Sequence, residues 1–281
     1  MYNFIYKINE NIQSIKLKME NNQKILLVTG SNKGIGYALI EGLLKEKSNL
    51  RIILTSRNEN LGQTALKSLI SKYPNSKSQL FYHQLDITKN ESIKEILKWI
   101  KSTFGKIDYL CNNAGVYKNP KKEVIETNIF GTINLTEELL KEDLINKNGK
   151  IINTGSELGS SYSVVGKNSN DYKNAKTVSD LINLTNKYLN NEINGSPYAV
   201  SKLTLHVYSK ILGNRKDIVE KNIGAYSMAP GWCRTDMGGS GATYSAEHGA
   251  ETDIYIIKLP DKIDPKYQGK YFIDCKVTDL F

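Results

Sequence analysis

The sequence predicts an α/β fold: a doubly wound parallel sheet of about seven strands with helices on both faces, forming a single domain. Three observations carry that prediction. Short apolar runs alternate with longer segments of helical periodicity along nearly the whole chain. The first run, Ile25 to Val28, turns through Gly30, Gly34 and Gly36 into a segment with apolar residues at helical spacing. The residues that follow successive strands (Gly30, Ser56, Asp86, Asn112, Ser156 and Pro230) are all glycine, proline or polar. In parallel α/β sheets the carboxyl ends of the strands make one crevice, and ligands bind there.

The bounds are consistent with this. A chain of 281 residues suits one large domain. No apolar run approaches the length of a membrane span, so no membrane partner is expected. Cys111, Cys233 and Cys275 are odd in number and far apart, without zinc-type spacing. Reduced thiols and a cytoplasmic location are expected, with no metal. The formal charge of +9 is spread along the chain as lysine, without interleaved aromatics. That pattern reads as a basic surface that favours anionic cofactors, not as a nucleic-acid footprint.

Residues 1–22 precede the first strand. Ile5, Ile8, Ile12 and Ile15 step as one helical face. The segment has neither an apolar core and cleavage signature nor any arginine, so it reads as a dispensable extension, not a targeting signal. The main domain is set at residues 23–281.

The elements follow in order. After the first strand and helix, Leu50 to Thr55 is a second strand, and a helix from Leu61 to Tyr73 stops at Pro74. Leu80 to Leu85 is the third strand. Thr88 to Glu91 has the form of a capping box for a helix ending at Phe104 and Gly105. Ile107 to Cys111 is the fourth strand and leads into Asn112-Asn-Ala-Gly115. A helix over Glu123 to Asp143 precedes the fifth strand, Lys150 to Thr154. A stretch rich in Ser and Asn, about 158–196, carries a helix near Val178 to Leu189. Pro197 to Leu212 is helical, Ile223 to Met228 a strand, Ala246 to Ile257 a helix and Lys270 to Ile273 a last strand.

Four features bear chemistry. The glycine turn lets backbone N–H groups and the helix dipole converge on a phosphate. At the second strand's end, where an acid would accept from a ribose hydroxyl, the chain has Ser56 and Arg57, and Lys33 sits inside the glycine turn. Two cations there favour a 2′-phosphate, hence NADP(H) over NAD(H). Tyr198 and Lys202 are one helical turn apart, so the ammonium should favour the phenolate and lower the phenol pKa. Such a phenol can donate a proton to a carbonyl oxygen. Ser156, ending the fifth strand, can hydrogen-bond the same oxygen. His83, His206 and His248 have no neighbouring nucleophile pattern and read as core or surface residues; Cys233 reads as a small inert residue near the pocket.

Together, the glycine turn, Asn112-Asn-Ala-Gly115, Ser156, Tyr198-x-x-x-Lys202 and Pro230-Gly231 resemble the short-chain dehydrogenase/reductase family, in that family's order. Within it, Thr29 to Gly36, His83 to Asp86, Thr127 to Thr132 and Pro230 to Met237 are most similar to monomeric NADPH-dependent carbonyl reductases. The resemblance implies a Rossmann-type sheet and a role for each matching residue. Gly30, Asn32, Gly34, Ile35 and Gly36 would cradle the pyrophosphate, with Lys33 and Arg57 on the 2′-phosphate. Asp86 and Ile87 would lie at the adenine, and Asn112 and Ala114 along the riboses. Ser156, Tyr198 and Lys202 would be catalytic, with Lys202 also on the nicotinamide ribose and Asn128 supporting a proton relay to it. Pro230, Trp232 and Thr235 would shape the nicotinamide end.

Two departures from the family pattern stand out. Tyr198 follows Ser156 by 42 positions, and the insert that fills the gap resembles those that cover an oligomerisation face in the monomeric members; a monomer is expected. Gly115 and Asn128 are separated by only twelve residues, so the loop on the substrate side is shortened. The expected activity is reduction of ketones, aldehydes or quinones, small-molecule carbonyl substrates, with Tyr198 as general acid. The alternatives are an NAD(H)-dependent alcohol or prostaglandin-type dehydrogenase and a nucleotide-sensing protein without turnover.

Overall fold

The structure is a computed structural model and describes residues 23–280. The extension assigned to residues 1–22 lies outside the described residues.

Eight strands form one sheet in the order β3-β2-β1-β4-β5-β6-β7-β8, all parallel except the last pair. They are β1 Lys24–Val28, β2 Leu50–Ser56, β3 Gln79–Gln84, β4 Ile107–Asn112, β5 Ile145–Thr154, β6 Gly224–Ala229, β7 Tyr271–Ile273 and β8 Lys276–Thr278. The helices of eight or more residues are α1 Gly34–Lys45, α2 Glu59–Lys72, α3 Asn90–Thr103, α5 Thr132–Lys141, α7 Val178–Leu189, α8 Pro197–Asn214 and α10 Ala246–Lys258. Shorter ones are α4 Lys121–Ile125, α6 Ser169–Asn174 and α9 Lys216–Glu220.

The apolar runs are continuous because the sheet is covered on both faces. Ile25 and Leu27 of β1 pack with Ile96, Leu135, Leu203 and Val207 on one side. Leu26 and Val28 pack with Leu39, Leu43, Ala250 and Ile256 on the other. Successive side chains alternate across a strand, so every residue of the run meets a helix. The strand order reverses direction between β1 and β4, and that switch point is where the crevice opens.

The insert is a packed layer. Thr177 and Asp180 make a capping box that starts α7. Tyr172, Leu181, Leu184 and Tyr188 are buried in the same cluster as Val200 and Leu203 of α8. The insert thus covers the outer face of α8.

Four expectations need correction. The described residues form eight strands where about seven were expected: β7 turns through Asp274 and Cys275, both at positive φ (47° and 61°), into antiparallel β8. The Cys275 N–H donates to Thr252 Oγ1 at 3.1 Å, which helps hold a turn that its residue types do not announce. Thr88 does not cap α3. Lys89 stands at the N-cap position without a side-chain bond, and the Thr88 hydroxyl donates to Asp86 Oδ1 at 2.7 Å instead. The long helix of 123–143 is α4 and α5 joined by a wide π-type turn, Glu126–Gly131, that contains Asn128. Finally, β5 begins at Ile145, five residues early, because the pairing with β4 shifts register between Ile107 and Tyr109.

Candidate active site

The carboxyl ends of the strands enclose a cleft of about 560 Å³, within the range of cofactor sites. One wall is the turn from β1 into α1. Gly30 and Gly34 have φ of 61° and 60°. A Cβ on Gly30 would lie 2.9 Å from Ala114 Cα, and one on Gly36 would lie 2.5 Å from Asn113 Nδ2, so neither position accepts a side chain. Asn113 ties the wall together, donating to the carbonyls of Thr29 (2.9 Å) and Gly30 (3.0 Å). Lys33 at the N-cap of α1 offers its helix no side-chain acceptor, and the first turn holds no acid. The N–H groups of that turn therefore remain available to an anion in the cleft.

At the far end Arg57 is exposed and lines the cleft. Lys33 lines it too, but its ammonium reaches across to Asp236 Oδ2 at 2.6 Å. The pair joins the glycine turn to the loop after β6, and Lys33 holds the Asp236 carboxyl below the usual carboxylate range. Asp86, Ile87, Asn32 and Ile35 also line this part.

The other end is supplied by α8. Lys202 is 4% exposed; its ammonium donates to the Thr154 carbonyl at 2.7 Å and sits 5.4 Å from the Tyr198 ring centre. Burial pushes Lys202 down to about 8. Burial also pushes the Tyr198 phenol up to about 12, while the nearby Ser156 side chain pulls the other way. This runs against the expectation of an acidified phenol: the Lys202 ammonium faces the Thr154 carbonyl, and burial is the largest influence on the phenol. The Ser156 hydroxyl accepts from the Leu158 N–H at 3.2 Å. The Tyr198 hydroxyl points to Met237 Sδ at 3.9 Å, and the Tyr117 ring stands edge-on to Tyr198 at 4.7 Å.

Not every expected residue reaches the cleft. Asn112 is buried between the strands, donating to Thr136 Oγ1 and Asn153 Oδ1, both at 2.9 Å; its neighbours Asn113 and Ala114 line the cleft. Asn128 is fully buried beside Lys202, but its amide bonds Val116 N (2.8 Å), Val116 O (2.9 Å) and Ser201 Oγ (3.0 Å). Its side chain braces the loop after β4 and makes no bond to Lys202. Pro230 and Thr235 line the cleft, whereas Trp232 is 57% exposed, its indole N–H donating to Gly238 O at 2.9 Å.

Sequence reasoning missed Asn113, Tyr117, Asp236 and Met237. Asn113, Asp236 and Met237 stood inside motifs already singled out; nothing in the sequence marked which neighbour would face the cleft. Among the described residues no His, Cys, Asp and Glu group could hold a metal, and no helix is long and apolar enough to cross a membrane.

The cleft fits a dinucleotide: an open helix N-terminus at the middle, an exposed guanidinium at one end, and a buried lysine and phenol at the other. Comparison with known proteins points the same way. A family model described as short chain dehydrogenase matches residues 24–177. Carbonyl reductase [NADPH] 1 of Sus scrofa is 31% identical over 284 residues, covering 93% of this chain and 96% of that protein. The Bos taurus protein of the same name is 32% identical, covering 92% and 99%. Among solved structures, salutaridine reductase from Papaver somniferum superimposes with a TM-score of 0.77 at 25% identity, covering 90% of this chain and 100% of that one. An NADPH-bound carbonyl reductase from chicken fatty liver gives 0.67 at 23%, covering 92% and 99%.

Proposed function

The chain belongs to the short-chain dehydrogenase family, and from that premise we propose that it is an NADPH-dependent reductase of ketones, aldehydes or quinones. NADP(H) is the cofactor, and when bound it supplies the hydride. Arg57, with Lys33, holds the 2′-phosphate; the N–H groups at the start of α1 hold the pyrophosphate; Lys202 binds the nicotinamide ribose.

Ser156 donates a hydrogen bond to the substrate carbonyl oxygen and orients it. Tyr198 then gives that oxygen its proton. A phenol held near 12 is fully protonated at neutral pH, which is the form a proton donor needs. Lys202, held near 8, is still charged at neutral pH and offsets the cost of the phenolate left behind. The single observation that carries this reading is the convergence of Tyr198, Lys202 and the end of β5, Thr154 and Gly155, at one end of the cleft, with the Ser156 side chain next along the chain and near the phenol.

Replacing Tyr198 with Phe tests it. Turnover of a carbonyl panel should fall by about 10²–10⁴-fold with NADPH affinity retained. Turnover equal to that of the unmodified protein would reject Tyr198 as the acid. The reading extends to a cytoplasmic monomer, because the insert covers α8 and all three cysteines are free. Sedimentation at micromolar concentration showing a dimer would reject the monomer, and fractionation of cells into organelles would reject the location.

A further inference from the structure

His206 was left without a role by the sequence. It lies one helical turn beyond Lys202 and two beyond Tyr198 on α8, so all three share a face. That face meets the end of β5. Where Lys202 donates to the Thr154 carbonyl, His206 Nε2 lies 3.0 Å from the Ser156 carbonyl. On the other side, Nδ1 lies 2.9 Å from Ser227 Oγ on β6. Neutral imidazole has one donor and one acceptor nitrogen. Donation from Nε2 to the carbonyl leaves Nδ1 to accept the Ser227 hydroxyl; in the other tautomer Nδ1 donates to Ser227 and Nε2 accepts from the Ser156 N–H, 3.4 Å away, so either neutral form ties the ring to Ser156 and Ser227.

The ring is 1% exposed and packs on Tyr271 at 4.2 Å. A Cβ on Gly155 would fall 2.1 Å from it, so the backbone just before Ser156 passes directly over the imidazole. Ser156 itself lies past the sheet: the Gly155 N–H, donating to Met228 O, makes the last bond of that ladder. Beyond it, the Ser156 carbonyl is held by the Gly159 N–H of its own turn (2.9 Å) and by His206. Only the second of these ties the turn to the helix that carries Tyr198 and Lys202. Burial keeps the imidazole neutral, pushing it down to about 4, so the pattern of donor and acceptor holds through the neutral range.

We propose that His206 is a positioning residue, which fixes the Ser156 backbone and through it the hydroxyl set against Tyr198. The inference rests on the roles given to Ser156 and Tyr198 above. It is tested by a double-mutant cycle of His206→Leu with Ser156→Ala, with His206→Gln as the conservative variant that keeps an N–H donor. His206→Leu should lower kcat by about 10–100-fold. NADPH affinity, read by fluorescence titration, should stay within about twofold, since the hydrogen bonds of His206 go to Ser156 and Ser227, neither of which is given a cofactor contact. His206→Gln should recover most of the lost kcat. On the Ser156→Ala background, His206→Leu should cost nothing further. Additive losses, or an unchanged kcat in His206→Leu, would overturn the proposal. Should the leucine variant not fold, Ser227→Ala leaves the ring in place and frees Nδ1; a kcat lowered by about threefold supports the proposal and an unchanged kcat overturns it. Full turnover in Ser156→Ala alone would instead reject the role of Ser156.

Discussion

The two ends of the cleft handle charge in opposite ways. At one end Lys33 and Asp236 are 65% and 77% exposed and Arg57 is exposed, so these ions stay in water. At the other, Lys202 is 4% exposed with its ammonium on a backbone carbonyl, and the Tyr198 phenol is pushed up by the same burial. Exposed charge is screened by water and salt, so an ion pair there is weak and can give way to an anion. Buried charge sets which groups hold protons at neutral pH. The two ends thus differ in depth, and the proposed division between cofactor recognition and proton transfer follows that difference.

The contrast can be broken most directly at Arg57. Replacing it with Ala should weaken NADPH binding by about 10–100-fold, the scale of a lost hydrogen bond to a charged group, and leave NADH nearly unchanged. Titration of both nucleotides checks this; equal weakening would remove the 2′-phosphate from that end. The buried end is tested by pH. Lys202 titrates near 8, below its ordinary range, so it carries its charge below that pH and loses it above. The profile of kcat/KM should be level from pH 6 to about 8 and then fall, by up to about tenfold per unit. A profile level to pH 10 would mean that burial does not govern Lys202. The smallest effect sharpens the picture at the exposed end. Asp236→Asn releases Lys33 to the cofactor, and NADPH should bind no more than about fivefold tighter, since exposed pairs are worth about 0.2–1 kcal/mol. The gain should vanish in high salt; a tenfold or salt-independent gain would show that the pair is not a screened surface contact.

How far the sequence could be read follows from the same physics. Strands buried on both faces appear as plain apolar runs, so β1, β2, β4 and β6 were legible within a residue or two. Even α7 in the insert was legible, because its apolar residues keep helical period. β8 was not, because Asp274-Cys275 lacks the glycine that usually marks such a turn. Nor was the wide turn at Asn128, since the residues around it have ordinary helical character. In the site, Asn112 and Asn113 are adjacent and alike; which one faces the cleft depends on whether β4 runs through Asn112, and it does. His206 carried no local pattern at all, because its partners Ser156 and Ser227 lie 50 and 21 positions away.

Periodicity, glycine spacing and the residue types at strand ends act over a few neighbours, and they determined the alternation of elements, the glycine turn that opens the first helix and the placing of Tyr198 one turn from Lys202. Burial depends on what distant segments bring alongside. Tertiary packing alone therefore decided that Lys202 turns to Thr154, that the phenol keeps its proton, and that an imidazole with no motif around it holds the serine in place.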